Sequence, residues 1–307
     1  MNQIMKDYFE RPEILGEARE AKPPKKEGGK YGWPLIVELL VFVAIFLVGN
    51  VLQTFLLIPG MMMAETMDGL LVASLFATIV PILLVFGFCA LAQKRKPRTI
   101  GFTKKKWLSE YLWGLLIGAV IFSLGIILCV VTGALKFNGF SDSFSIGMFV
   151  LFFLGFMVQG MSEEVLCRGY LMVSIARRSS LPVAILANSL FFAALHLGNS
   201  GISVLAFINL TLFGIFASIM FVRRGSIWMV GAVHSIWNFV QGNVFGVLVS
   251  GMELDCRVLN AEVVEGMTFI NGGAFGLEGG IAVTVVLLAG IVLMCLKGKK
   301  TKEIAEV

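Results

Sequence analysis

Residues 144–165 read FSIGMFVLFFLGFMVQGMSEEV, an apolar stretch that closes on two adjacent carboxylates, Glu163 and Glu164. A run of roughly 20 apolar residues is long enough to cross a hydrocarbon core of about 30 Å as a helix. A charged side chain at the bilayer centre costs roughly 2.5–3.5 kcal/mol, so its default interpretation is functional. This stretch therefore predicts a membrane-spanning helix that carries part of a functional site.

The composition of the whole chain agrees with a membrane protein. Hydrophobic residues make up 57% and charged residues 15%, with a mean hydropathy of +0.88. Soluble domains carry about 25% charged residues. We predict an all-α, polytopic membrane protein with about eight transmembrane helices. The predicted spans are 35–60, 69–92, 111–135, 144–165, 181–198, 202–222, 226–249 and 279–296.

The distribution of positive charge predicts how the chain is oriented. All of the 25 Lys and Arg residues except Lys136, Arg168 and Arg257 fall in a few segments on one side of the predicted spans. These segments are the N-terminal tail, the 94–106 loop, Arg177-Arg178, Arg223-Arg224 and the C-terminal tail. Positive charge marks the cytoplasmic face, so both termini are expected there. Lysines facing anionic lipid account for the net charge of +5, and nucleic acid is not an expected partner.

The sequence outside the predicted spans indicates two tails and one long loop around a helical domain. Residues 1–33 are polar and Pro/Gly-punctuated, which predicts a flexible cytoplasmic tail and no cleavable signal peptide. Residues 34–297 are predicted to form the helical domain, with a motif core at about 150–240, and 298–307 a second cytoplasmic tail. The 250–278 segment is predicted to be the one long external loop, with turns but without recognisable chemistry.

Helix geometry predicts that the polar residues meet at one depth. Glu163 lies 15 residues before Arg178, and His196 lies 15 residues after Leu181, the two sides of one basic turn. Both are therefore about 22 Å along their helices from that turn. His234, which with His196 makes up the chain's two histidines, begins the segment His234-Ser-Ile-Trp-Asn238. This segment lies about 15–21 Å beyond Arg224, so three helices are expected to converge.

Spacing predicts which of these groups pair. Glu164 and Arg168 are four residues apart and can form an ion pair on one helix face. Glu163 is rotated by about 100° and can point into a cavity instead. A structural alternative exists for most members: a buried ion pair for Glu164, an interhelical hydrogen bond for either histidine, and helix association for Asn238. That alternative does not explain Glu163, because no second cation is nearby in sequence.

These residue types suit peptide hydrolysis. A poorly solvated glutamate can act as general base toward water, and imidazole and amide donors can stabilise an oxyanion. Ser162 and Ser235 adjoin the predicted site, but no hydroxyl is placed with a histidine in a way that signals a nucleophile. Cys167 stays open as an alternative nucleophile, although a packing role is sufficient to explain it.

Three motifs carry a resemblance to a known family. Glu163-Glu164-Val-Leu-Cys-Arg168 resembles EExxxR, Phe192-Ala-Ala-Leu-His196 resembles FxxxH, and His234-Ser-Ile-Trp-Asn238 resembles HxxxN. The chain is thereby similar to the CAAX protease and bacteriocin-processing family, which includes type II CAAX prenyl endopeptidases. The resemblance covers roughly residues 70–250, and three motifs in order, each in an apolar segment, make it specific.

The resemblance implies an eight-helix intramembrane glutamate protease whose cavity opens to the cytosol and the lipid. Glu163 would activate water with the help of His196, while His234 and Asn238 would form the oxyanion site. Glu164 and Arg168 would orient the other groups.

The implied substrates are membrane-associated proteins or peptides, including prenylated CAAX-type ones. The protein itself is expected to be a multi-pass protein of the plasma membrane. No cofactor is expected. The alternative is a Zn²⁺ ion on Glu163, His196 and His234, although HExxH is absent.

Two other classes of function stay open. A non-catalytic membrane adaptor or bacteriocin-immunity protein would use the same fold and tolerate loss of Glu163. A transporter would also place ionisable groups near the midplane, but it would usually show inverted repeats, and the sequence has no such symmetry.

Overall fold

The computed structural model describes residues 34–104 and 106–303, most of which are helical. In chain order the elements are α1 (Leu35–Met63), α2 (Met67–Ala77), α3 (Ile79–Leu91), α4 (Trp107–Val131), β1 (Leu135–Phe140), α5 (Ile146–Glu164), α6 (Val173–Ala176), α7 (Leu181–Leu195), α8 (Val204–Arg224), α9 (Ile227–Phe239), β2 (Leu259–Val263), α10 (Thr268–Asn271) and α11 (Ile281–Glu303). A π-helical segment, Val165–Met172, joins α5 to α6, and a second, Val240–Val244, follows α9.

The described helices support the predicted polytopic, all-helical membrane fold. Five helical segments are long and apolar enough to cross a membrane: Leu35–Met62, Met67–Leu91, Trp107–Val131, Ile146–Ala176 and Val204–Arg224. Two shorter apolar helices, Leu181–Leu195 and Ile281–Leu296, and the 13-residue α9 occupy the other predicted spans. Eight crossings and cytoplasmic termini stay predictions. The predicted tail 1–33 lies outside the described residues, and α11 continues into the predicted tail 298–307.

A small sheet that the sequence analysis missed lies outside the helices. β1 pairs with β2 in antiparallel register, from Leu135 opposite Val263 to Phe140 opposite Leu259. β2 belongs to the long loop that follows α9. A buried carboxylate fixes that loop, because Asp68 accepts hydrogen bonds from the backbone N–H groups of Asp255 (3.0 Å) and Cys256 (2.7 Å). The loop is therefore an ordered part of the fold.

Close packing of α5 against α9 depends on a glycine. A Cβ atom at Gly160 would lie 2.5 Å from the Oγ atom and 2.6 Å from the backbone nitrogen of Ser235. Small residues allow membrane helices to approach in this way, where van der Waals contact drives association. Gly160 lies one turn before Glu164, and Ser235 adjoins His234. The contact thus brings the carboxylates of α5 within reach of an imidazole on α9.

Gly160→Ala is expected to destabilise the protein, while Gly147→Ala on the same helix is not. A Cβ atom at Gly147 meets nothing within 4 Å, whereas one at Gly160 forces two helices apart. Overpacking costs about 1–3 kcal/mol, which outweighs the gain of up to about 1 kcal/mol from replacing a helical glycine by alanine. Thermal unfolding in detergent measures both variants. Equal Tm values for the two would contradict the packing argument.

Candidate active site

The three motifs lie on three neighbouring helices, near breaks in regular helical geometry. Glu163 and Glu164 end α5, and Arg168 lies in the π-helical segment that follows. His196 is the C-terminal capping residue of α7, and His234 and Asn238 lie in the second half of α9. π-Helical turns recur at functional sites because they reorient side chains within a continuous helix.

Glu163 is the point where these helices meet. Its Oε2 atom lies 3.8 Å from His196 Nε2 and 3.7 Å from His234 Nε2. These distances exceed those of a direct hydrogen bond. The same Oε2 atom has no hydrogen-bond partner among the described residues. The predicted convergence of Glu163, His196 and His234 is confirmed, because one carboxylate oxygen lies within 4 Å of both Nε2 atoms.

Glu164 is buried and holds two partners. Its Oε1 atom accepts hydrogen bonds from Arg168 Nη1 at 2.9 Å and from His234 Nδ1 at 2.8 Å. The side chains of Glu164 and Arg168 are fully buried, which confirms the predicted ion pair. Because an ionised carboxylate only accepts, His234 carries a proton on Nδ1. Its Nε2 atom therefore has a lone pair when the ring is neutral and an N–H when it is protonated.

The other imidazole is oriented by its own motif. His196 Nδ1 lies 2.9 Å from the carbonyl oxygen of Phe192, one turn earlier, so Nδ1 carries the donated proton. The Phe192 ring lies 4.8 Å from the His196 ring and 4.5 Å below the Arg168 guanidinium. Phe192 thus contacts both the buried cation and the His196 imidazole, a role that sequence reasoning did not assign.

Gln159 is a site residue that sequence reasoning missed. Its Nε2 atom donates a hydrogen bond to Glu163 Oε1, and its Oε1 atom accepts one from Asn238 Nδ2 at 2.9 Å. Gln159 therefore connects the carboxylate of one motif to the amide of another. The available signal was a lone amide one turn before Glu163 in an otherwise apolar helix.

Several of these groups line one cavity, which has a volume of about 90 Å³. It is lined by polar and aromatic side chains from all three motifs, including Gln159, Glu163, His196, His234, Trp237 and Asn238. This volume holds several water molecules. The side chain of Glu163 is 28% exposed, whereas those of Glu164 and Arg168 do not line the cavity. Solvent therefore reaches the side chain of Glu163, although its Oε2 atom is buried, and does not reach that of Glu164.

The long loop after α9 also reaches this cavity, which the sequence did not indicate. Ser250, Met252 and Glu278 line it. Glu278 Oε2 accepts hydrogen bonds from the backbone N–H of Ser250 (3.0 Å) and from its hydroxyl (2.8 Å). Within α9, the buried Trp237 has an indole N–H that finds no acceptor among the described residues.

Neither Cys167, the alternative nucleophile, nor the two serines that adjoin the motifs line the cavity. Cys167 is fully buried, and Ser162 is buried in α5. Ser235 donates its hydroxyl to the Met157 carbonyl oxygen at 3.4 Å. A hydrolytic reaction at Glu163 would therefore start from water.

The alternative zinc site stays a prediction. Glu163, His196 and His234 are donor types that zinc accepts, but ligands at about 2.1 Å from one tetrahedral ion lie about 3.4 Å apart. The observed separations are 3.7 and 3.8 Å, and Glu163 Oε1 is engaged by Gln159. Among the described residues, no group of His, Cys, Asp or Glu side chains is arranged to hold a metal ion.

Fold and site together define a polytopic membrane protein with a water-accessible carboxylate and two imidazoles between its helices. Residues 145–240 match a family model described as type II CAAX prenyl endopeptidase Rce1-like. This match covers about a third of the chain and includes all three motifs. It supports assignment to the CAAX protease and bacteriocin-processing family, and thereby a protease integral to a membrane. No curated protein matches the chain.

Removing Arg168 should destabilise the protein far more than removing a surface arginine. Arg168→Leu leaves Glu164 buried with one partner fewer, and breaking a buried pair in this way costs about 3–5 kcal/mol. The matched control is Arg224→Leu, since Arg224 pairs with Glu110 at 2.6 Å but its side chain is 46% exposed. An exposed pair contributes about 0–1 kcal/mol. Denaturant unfolding in detergent compares the variants, and similar losses would refute the assigned role of the buried pair.

Proposed function

We propose that this protein is an intramembrane endopeptidase in which Glu163 activates a water molecule to hydrolyse a peptide bond. The observation that supports this proposal is the unpaired Glu163 Oε2 atom, which faces two imidazole Nε2 atoms across 3.7 and 3.8 Å. Two groups separated by that distance can both hydrogen-bond one water molecule. The surrounding cavity has room for it.

In the first step Glu163 acts as general base. Water donates one hydrogen bond to Glu163 Oε2 and a second to the lone pair of His196 Nε2. Glu163 takes the proton as the water oxygen attacks the scissile carbonyl carbon. The carbonyl π bond breaks, and its electron pair becomes the oxyanion of a tetrahedral intermediate.

Donors on α9 stabilise that oxyanion. Asn238 uses one amide N–H to reach Gln159, which leaves its second N–H for the oxyanion. His234 donates from Nε2 when its ring is protonated, and Glu164 balances that charge at 2.8 Å. Such donors are worth most in a site that excludes bulk water.

Collapse of the intermediate completes hydrolysis. The carbonyl bond reforms, the C–N bond breaks, and Glu163 returns its proton to the leaving nitrogen. The products are a carboxylic acid, which then ionises by losing its proton to solvent, and an amine. Glu164 and Arg168 are positioning residues, because they touch His234 and Phe192 and do not line the cavity.

The substrates proposed are membrane-associated proteins or peptides, including prenylated CAAX-type ones. A cavity between apolar helices admits a polypeptide held at or in the bilayer more readily than a freely soluble one. The plasma membrane is the proposed location, and the mechanism needs no cofactor.

Glu163→Gln should abolish cleavage while leaving the fold intact. The amide cannot take a proton from water, so the rate should fall by about 10²–10⁴-fold. The assay uses purified protein with a farnesylated CAAX peptide and with a pool of membrane-protein substrates. The matched control is Glu253→Gln, because that side chain is 71% exposed in the loop.

A chelator separates the two mechanisms that involve Glu163. Activity that persists with chelator but is lost in Glu163→Gln supports metal-free catalysis. Loss under both conditions indicates a metal enzyme. Function in cells that survives Glu163→Gln would instead favour a non-catalytic adaptor or immunity protein on the same fold.

Gln159→Leu should lower kcat without changing KM or Tm. The substitution removes the donor that fixes Glu163 Oε1, and a misplacement of a reacting group by about 1 Å can cost about 10²-fold in rate. A decrease of about 10- to 100-fold in kcat is therefore expected. Gln53→Leu on α1 is the matched control and should change neither constant. A parallel loss of Tm would assign Gln159 a structural role instead.

A further inference from the structure

The ends of the helices group into two faces of the molecule. At one face, Arg224 pairs with Glu110, and the Trp228 indole donates to the Thr103 carbonyl oxygen at 2.9 Å. Hydrogen bonds at the opposite face join α2, β1 and the loops after α7 and α9. They include Asp68 with Cys256, Asn199 with Ser250, and Asn271 with Ala134. We name these the basic face and the loop face.

Charge differs between the two faces. The basic face carries residues 94–104 and 106, together with Arg177, Arg178, Arg223 and Arg224. The loop face carries Lys136 and Arg257 as its described cations against eight carboxylates: Glu65, Asp68, Asp142, Glu253, Asp255, Glu262, Glu265 and Glu278. Positive charge at the ends of short loops marks the cytoplasmic side. This rule predicts that the loop face is the non-cytoplasmic one.

The cavity lies toward the loop face. His196 caps the C-terminal end of α7, about 22 Å from the start of that helix at the basic face. On α11 the cavity is lined by Val283 and Leu287, both in the first two turns after the loop. Asn199, Val249, Ser250, Met252 and Glu278 of the loop face also line it. Among the described residues, none of the 94–106 segment does.

A packed wall separates the cavity from the basic face. Every residue from Glu164 to Ala176 is buried. Beyond this wall, Arg95 donates to the Gly169 carbonyl oxygen at 3.3 Å, and Gly169 packs against Ile100. The route from Glu163 toward the basic face is thus closed by close-packed helix.

The positions of the cavity and of the basic segments are incompatible with two expectations held together. The sequence predicts cytoplasmic termini, and the family resemblance implies a cavity that opens to the cytosol. Both cannot hold, because the basic segments and the cavity lie toward opposite faces. Where the two conflict, the charge asymmetry is a property of this chain, whereas the cytosolic opening is only an implication of the resemblance.

We propose that the Glu163 cavity opens to the non-cytoplasmic side of the membrane. This inference rests on the proposed protease function and narrows its substrates. They are membrane-anchored polypeptides whose scissile segment has crossed the bilayer or lies in its outer leaflet. C-terminal segments retained in the cytosol would not reach Glu163.

Thiol labelling in intact cells tests the proposal without requiring catalysis. Each variant of the full chain carries Cys295→Ser, since Cys295 is exposed and the other cysteines are buried. Met252→Cys reports on the cavity, Ser200→Cys on the loop face and Lys96→Cys on the basic face. The probe is a membrane-impermeant maleimide, applied before and after permeabilisation.

We expect Met252→Cys and Ser200→Cys to be labelled in intact cells. Lys96→Cys should be labelled only after permeabilisation. The reverse pattern overturns the orientation. Labelling of Ser200→Cys but not Met252→Cys in intact cells overturns the outward opening. Failure of the protease proposal is seen separately, as equal cleavage by Glu163→Gln and the unsubstituted protein.

Discussion

The carboxylate of Glu164 is the interaction on which the site depends. It is fully buried and binds Arg168 Nη1 and His234 Nδ1 through a single oxygen atom. A buried charge persists only when it is paired and hydrogen-bonded. The pairing requires α5 and α9 to approach within side-chain reach, which Gly160 permits. The same pairing sets the proton on His234 Nδ1 and directs Nε2 toward Glu163.

Adjacency in sequence gives the two glutamates different environments. A rotation of about 100° per residue turns one carboxylate toward the packed interior and the other toward the cavity. One oxygen of each carboxylate has no hydrogen-bond partner among the described residues. The difference is that Glu164 is fully buried with Arg168 and His234, whereas the Glu163 side chain is 28% exposed and lines the cavity. A division into positioning and reacting carboxylates follows from this geometry, whatever the substrate is.

Sequence reasoning located the site because its signals are local. Helix rise placed Glu163 and His196 at equal depth, and four-residue spacing predicted the Glu164–Arg168 pair. What it missed depends on contacts between distant segments. The bridge from Gln159 to Asn238 joins residues 79 apart, and the bond from Glu278 to Ser250 closes a loop without any motif. The β1–β2 pairing likewise has no periodic signal beside long apolar spans.

The short length of α7 explains how water could reach a site among apolar helices. Its 15 residues extend about 22 Å, less than a hydrocarbon core of about 30 Å. His196 and the irregular segment after it would then lie below the membrane surface, where unpaired backbone is tolerated only if it lines a cavity. Asn199 does line this one. A helix that stops short thus both exposes an imidazole and admits the water that Glu163 would activate, while the surrounding helices keep the local dielectric low and the charge interactions strong.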